Sequence, residues 1–250
     1  MTLEQILSNA EDARLAGSYD LAQKEYNEII SNKDESSITY CHALRGMAEV
    51  YRMREEHTSS ETLYNQDIEA YTKNNSVFGL GVAHLGLGQL YRHQNHLQRA
   101  QDYITKAVNY FTDINDTYGL ADAHIELGHI KLSQSNYEVA AIHFSDSKAN
   151  FIELGDEWGI ASAWLGLGKS QKKEKKFSES VISLNNALDH FKASNDKLGQ
   201  ANANKELGDI SQLQNDNHQA KSYYQLAKDL FQQMNEINEV QKVTSKLLMI

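Results

Sequence analysis

Apolar and small residues recur three or four apart along most of the chain, as in Ala123, Leu127 and Ile130, then Tyr137, Ala140, Ala141, Phe144 and Phe151. That spacing lays an apolar stripe along one face of a helix, and it predicts two helices per stretch. Short polar runs separate the stripes: His93 to Asn95, Ser133 to Asn136, Lys173 to Lys176, and Gln214 to Asn217. The pattern returns at a fixed step of 40. Gly79, Gly119, Gly159 and Gly199 keep it, as do Ala43, Ala83, Ala123, Ala163 and Ala203, then Met47, Leu87, Leu127, Leu167 and Leu207. An aromatic holds the same phase at Tyr71, Phe111, Phe151, Phe191 and Phe231.

A period of this length is the mark of stacked supersecondary units, here antiparallel helix hairpins. Helix starts repeat too. Ser36, Ser76, Asp116, Asp156 and Asp196 each stand three residues before a block's first position, where a side-chain oxygen can accept from free backbone N–H groups. Gly155, just ahead of Asp156, suits a left-handed cap where a helix must end. In 250 residues there is no proline, as expected of long helices joined by short polar turns. The spacing predicts hairpins near 2–32, 37–73, 77–113, 117–153, 157–193 and 197–233. A capping helix is expected over 237–248, with Val240, Val243 and Leu247 turned inward and Lys242 and Lys246 toward water.

The run Leu87-Gly88 with Tyr91, Leu97, Ala100, Ile104 and Ala107 resembles the tetratricopeptide repeat (TPR). Later blocks match as Leu127-Gly128 with Tyr137, Ala140 and Phe144; Leu167-Gly168 with Phe177, Leu184 and Ala187; and Leu207-Gly208 with Ala220, Tyr224 and Ala227. Earlier blocks match less closely, through Met47-Ala48, Tyr51, Ser60 and Tyr64, and through Gly17, Tyr19, Ala22 and Tyr26. Two departures are consistent: the step is 40 rather than 34, and the proline usual near the end of the second helix is missing. This is similar to the longer repeats of Leu-Gly-Asn spindle-orientation adaptors and of bacterial signalling solenoids. The resemblance implies an all-α fold, a right-handed TPR-like α-solenoid of about six hairpins plus a C-terminal cap, forming one superhelical domain over 1–250.

Composition narrows the function. Against 34 Asp and Glu stand 24 Lys and Arg, a net charge of −10, whereas nucleic-acid binders draw affinity from neutralising phosphates with cations. Nucleic acid is therefore not expected as a partner. Nor is a membrane, since neither a leader nor a long apolar run is visible, and a cytoplasmic location is expected. The single Cys41 excludes an intrachain disulfide and a cysteine zinc cage.

No phosphate-cradling glycine loop, metalloprotease motif or nucleophile elbow occurs, so neither an enzyme nor a cofactor is expected. A metal is not expected either. His93 and His96 stand three apart but straddle a helix end, and His84 and His124 share a repeat position that Trp164 and Asn204 occupy in later blocks, which reads as packing.

In the resembled fold the first helix of each hairpin lines a concave groove. The positions this implies include Arg45, Arg52, Leu85, Arg92 and His93, then Ile125 and His129, then Leu165, Lys169, Lys172, Lys173 and Lys205. Leu85, Ile125 and Leu165 would floor it, with arginines on one side and lysines on the other. A protein or peptide partner with an apolar centre and acidic flanks is expected, held by a scaffold or adaptor. The alternative is a sensor of a short signalling peptide. Glycines two before the Gly88-type position, Gly46, Gly86 and Gly166, reflect close approach of a neighbouring helix or of a ligand. The apolar end, Leu247 to Ile250, either finishes the cap or meets a second copy of the chain.

Overall fold

The structure, a computed structural model, describes residues 1–32, 34 and 37–250. Among the described residues there are thirteen α-helices and no strand. They are α1 (Leu3–Leu15), α2 (Tyr19–Ser31), α3 (Ile38–Met53), α4 (His57–Lys73), α5 (Val77–His93), α6 (Leu97–Asp113), α7 (Thr117–Ser133), α8 (Tyr137–Leu154), α9 (Glu157–Lys173), α10 (Phe177–Ala193), α11 (Lys197–Leu213), α12 (Asn217–Gln233) and α13 (Ile237–Leu247). Paired in order, they make the successive helix hairpins of a TPR-like α-solenoid, ended by a single helix. The chain forms two compact units, Met1–Gly119 and Leu120–Ile250.

Helix ends follow the repeat. The side chains of Ser76, Asp116, Asp156 and Asp196 accept from the amides of Gly79, Gly119, Gly159 and Gly199 at 3.0–3.2 Å. The cap expected at Ser36 lies outside the described residues; for α3 the capping hydroxyl belongs to Ser37, which accepts from Thr39 N. Apart from the α2–α3 connection, each turn carries one residue in the left-handed region. Asn75, Asn95, Asn115, Asn195, Asn215 and Asn235 take this role, with Glu55, Ser135 and Lys175, and among the described residues glycine serves only at Gly17 and Gly155. Asparagine tolerates that conformation better than other residues with a side chain. The following amide then reaches back across the turn, as His96 N does to Tyr91 O at 2.8 Å, satisfying a carbonyl the helix end leaves free.

In the first unit α1–α6 pack as sequential neighbours, and α3 also touches α1 and α5. Aromatic rings of second helices lie on glycines of the next hairpin: Tyr26 on Gly46, Tyr64 on Gly86, and Tyr71 on Gly79, where a Cβ would collide with the ring. Gly46 and Gly86 therefore serve helix packing. Tyr26, Tyr64, Tyr71 and Phe111 are fully buried, each contributing about 1.5–3 kcal/mol of hydrophobic burial. Where the repeat's small residue is serine, its hydroxyl finds the carbonyl of the opposing helix, as Ser60 Oγ does to Ala48 O at 2.8 Å.

The second unit repeats the device. Phe144 lies on Gly166, Phe151 on Gly159, and Phe191 on Gly199. Ser180 Oγ donates to Gly168 O at 2.6 Å. Helix α13 buries Val243 against Ala220, Tyr224, Ala227 and Phe231, with Val240, Leu247 and Ile250 beside it. Leu248 and Met249 stay 84% and 76% exposed, so the apolar end is only half used by the cap. Lys242 reaches water as expected. Lys246 instead turns toward Asp209 Oδ1, 2.6 Å away, because the carboxylate below it offers a partner.

Candidate interaction surface

In the first unit the expected residues fall on α3 and α5, which are neighbours. Arg45 and Arg52 are half-buried on α3, while Leu85 is buried and belongs to the core. Arg52 Nη1 approaches His93 Nε2 at 3.3 Å, and Arg92 Nη2 approaches the same atom at 3.5 Å. Partial burial, then the charges of Arg92 and Arg52, push His93 down to about 4. The ring is therefore neutral near pH 7 and accepts through Nε2. Two guanidiniums directed at one acceptor make a seat whose chemistry suits a carboxylate. Glu49, on the same helix α3, is taken by Arg14 of α1 at 2.7 Å.

Below that surface lies Asp67 of α4, with no solvent exposure and no hydrogen-bond partner on either carboxylate oxygen. Burial pushes it up to about 8, against the downward pull of Arg45. Cys41 is also buried, and burial, then Asp67, push its thiol up to about 11, the condition of an unreactive structural cysteine.

In the second unit the lysines expected to face a ligand are largely engaged by the chain's own acids. Lys172 Nζ contacts Glu206 and lies 2.9 Å from Asp209 Oδ2. Lys205 Nζ lies 2.7 Å from Glu239 Oε2, and Lys169 Nζ 4.0 Å from Glu206 Oε1. Asp209 also accepts from Tyr224 Oη at 2.8 Å. Burial pushes Lys169 down, whereas Lys172, though burial opposes it, is held above its ordinary value by Glu206 and Asp209. Lys173 is exposed at the end of α9.

The apolar positions are likewise shared with the core. Ile125 is half-buried beside Phe151 and Ile160, and Leu165 beside Phe191 and Leu207. His129 is half-buried and meets the Phe144 ring edge-on at 5.1 Å.

Two features escaped the reading of the sequence. The first is an exposed apolar side chain near the start of the first helices α3, α5, α7, α9 and α11: Ile38, Phe78 and Tyr118 in the first unit, Trp158 and Leu198 in the second. Their common step of 40 was available as a signal. The second is His124, His143 and Asp146, whose ligating atoms all lie within 4.8 Å of one another. No short motif announces it, because the two histidines stand 19 residues apart on different helices.

A family model described as "Soluble NSF attachment protein, SNAP" matches residues 149–249. No curated protein matches the chain. Among solved structures it is similar to the APC/C hetero-tetramer Cut9-Hcn1, with a TM-score of 0.74 and 16% identity over 97% of this chain and 43% of that one. It is similar to BtubC from P. vanneervenii, with a TM-score of 0.70 and 15% identity over 94% and 93% of the two chains. A Rap protein complexed with Competence and Sporulation Factor gives a TM-score of 0.72 and 17% identity over 97% and 72%. The chain thus spans less than half of the matched Cut9-Hcn1 chain. Identities of this size describe a shared fold. Among the described residues no helix is long and apolar enough to cross a membrane.

Proposed function

We propose that this chain, whose fold is a tetratricopeptide-repeat-like α-solenoid, is a non-enzymatic scaffold that binds a peptide segment of a partner protein on the first helices of its hairpins. The observation that carries the reading is the convergence of Arg52 and Arg92 on His93 Nε2. The segment's acidic flank is seated there, between α3 and α5, and displaces His93 as the acceptor. A bidentate carboxylate–guanidinium pair is stronger than a bond to a neutral ring, so the exchange favours binding. Lys172 and Lys205 are already committed to Glu206, Asp209 and Glu239, and contribute rigidity instead.

An array of short synthetic peptides tests this: one apolar centre carried between Asp/Glu flanks, and the same centre between Lys/Arg flanks. The acidic set binds the native chain with an affinity that falls as salt rises, and Arg52→Glu weakens it at least tenfold while helicity is kept. Equal binding of both sets, or no effect of Arg52→Glu, contradicts the reading.

A second reading, a sensor of a short signalling peptide, takes its support from the likeness to the Rap protein complexed with Competence and Sporulation Factor. It predicts strong thermal stabilisation by a free short peptide; the scaffold reading predicts co-purification with a larger partner.

A further inference from the structure

Helices α7 and α8 form one hairpin, and residues of both meet at its surface. His124 of α7 places Nδ1 3.2 Å from Nδ1 of His143 on α8, and 3.9 Å from Oδ2 of Asp146, one turn further along α8. Ligand atoms held about 2.0–2.1 Å from a tetrahedral ion are about 3.3–3.4 Å apart, so the two nitrogens already stand at ligand spacing. The carboxylate stands wider, 3.9 Å from His124 Nδ1 and within 4.8 Å of the His143 ligand atom, and swings inward to complete the set. Asp146 is exposed and both rings are half-buried, so an ion can enter from solvent.

The repeat supplies an internal comparison. Positions 124, 143 and 146 correspond, one step earlier, to His84, Tyr103 and Lys106, and one step later to Trp164, Ser183 and Asn186. In the earlier hairpin His84 bonds Leu80 O at 2.8 Å through Nδ1 and lies against the rings of Tyr103 and Tyr110, a packing arrangement without ligands. Among the described residues, only the α7–α8 hairpin gathers three donors at this place. Packing needs no carboxylate there, and the other hairpins fold without the pair of imidazoles.

We propose that His124, His143 and Asp146 bind a divalent transition ion of the zinc type, which ties α7 to α8 and keeps one coordination position for water. Two imidazoles and one carboxylate suit Zn²⁺ and its first-row neighbours better than Mg²⁺ or Ca²⁺, which prefer all-oxygen sites. The charge of Lys131 acts on His143, and Lys131 bonds Gln134 Oε1 at 3.3 Å. Without an ion the same two nitrogens share one proton as an imidazole–imidazole hydrogen bond.

The test uses the full, untagged chain stripped with a chelator and titrated with Co²⁺, followed by its visible absorption and by Zn²⁺ competition. One ion per chain with tetrahedral bands is expected, displaced by Zn²⁺, together with a rise in melting temperature. His124→Asn and His143→Ser install residues that the repeat already uses at these positions, Asn204 and Ser183, and each weakens binding at least tenfold with helicity unchanged. The exposed Asp146→Asn weakens it as well. No saturable binding, or equal affinity in all three variants, overturns the proposal and leaves the histidines as a hydrogen-bonded pair.

Discussion

Lys172 Nζ stands 2.9 Å from Asp209 Oδ2, joining α9 to α11 through side chains that are 37 residues apart and out of phase with the repeat. Glu206 completes the contact on one side, and Tyr224 and Lys246 complete it on the other. A group of charges this well enclosed is costly to leave half-paired.

Removing the lysine exposes that cost. Lys172→Met leaves Glu206 and Asp209 facing each other and is expected to destabilise the chain by about 1–3 kcal/mol, measured by urea unfolding at neutral pH. Burial pushes Asp209 up, but Lys172 and the hydrogen bonds of Lys246 and Tyr224 pull it down further, so its net shift is downward. The stability it contributes is present above the unfolded carboxylate value, about 4, and is lost as pH falls through the lower folded value. Lys172, held above its ordinary value, contributes below about 10.4 and loses that contribution as pH rises further. The variant's stability therefore changes less steeply at both extremes than the native chain's.

Asp67 behaves in the opposite sense. Its folded value, about 8, lies above the unfolded one, so the folded chain binds a proton that the unfolded chain releases. Stability then declines as pH rises from about 4 to about 8. Asp67→Asn removes the decline and raises stability at pH 7 by about 1–4 kcal/mol, read from unfolding curves across that range. An unchanged pH profile would show that Asp67 is ionised and solvated.

Gly166 tests the packing of the aromatic row. An added methyl collides with the buried ring of Phe144. Gly166→Ala gains about 0.5–1 kcal/mol in helix preference yet should lose about 1–3 kcal/mol to overpacking, for a net loss in chemical denaturation.

Lys175 holds a left-handed conformation, φ 62°, at a turn where two other hairpins use asparagine, Asn95 and Asn215. Lys175→Gly relieves that strain and is expected to stabilise the chain by about 0.5–1 kcal/mol, seen as a higher melting temperature.

These cases mark what was legible in the sequence. Helix positions, caps at Asp116, Asp156 and Asp196, and the rings of Phe111, Phe151 and Phe191 were readable because each interaction recurs with the step of 40. The candidate surface was less so. Periodicity places Lys172 on the right helix, but nothing periodic announces that Glu206 and Asp209 come within its reach. Leu85 shows the same limit, since one heptad-like stripe serves both core and surface and only packing decides which. His124 looked like His84 because they share a repeat position; the difference lies in their partners, Tyr103 in one hairpin and His143 in the other.

The measurement closest to the central claim is a charge exchange at Arg52 and Arg92. Fluorescence anisotropy of labelled acid-flanked and base-flanked peptides is followed on the native chain and on Arg52→Glu/Arg92→Glu, with melting temperatures recorded alongside. The account predicts that the double variant loses the acidic peptides, gains the basic ones and melts within a few degrees of the native chain. Retention of the acidic peptides by a folded double variant would contradict it.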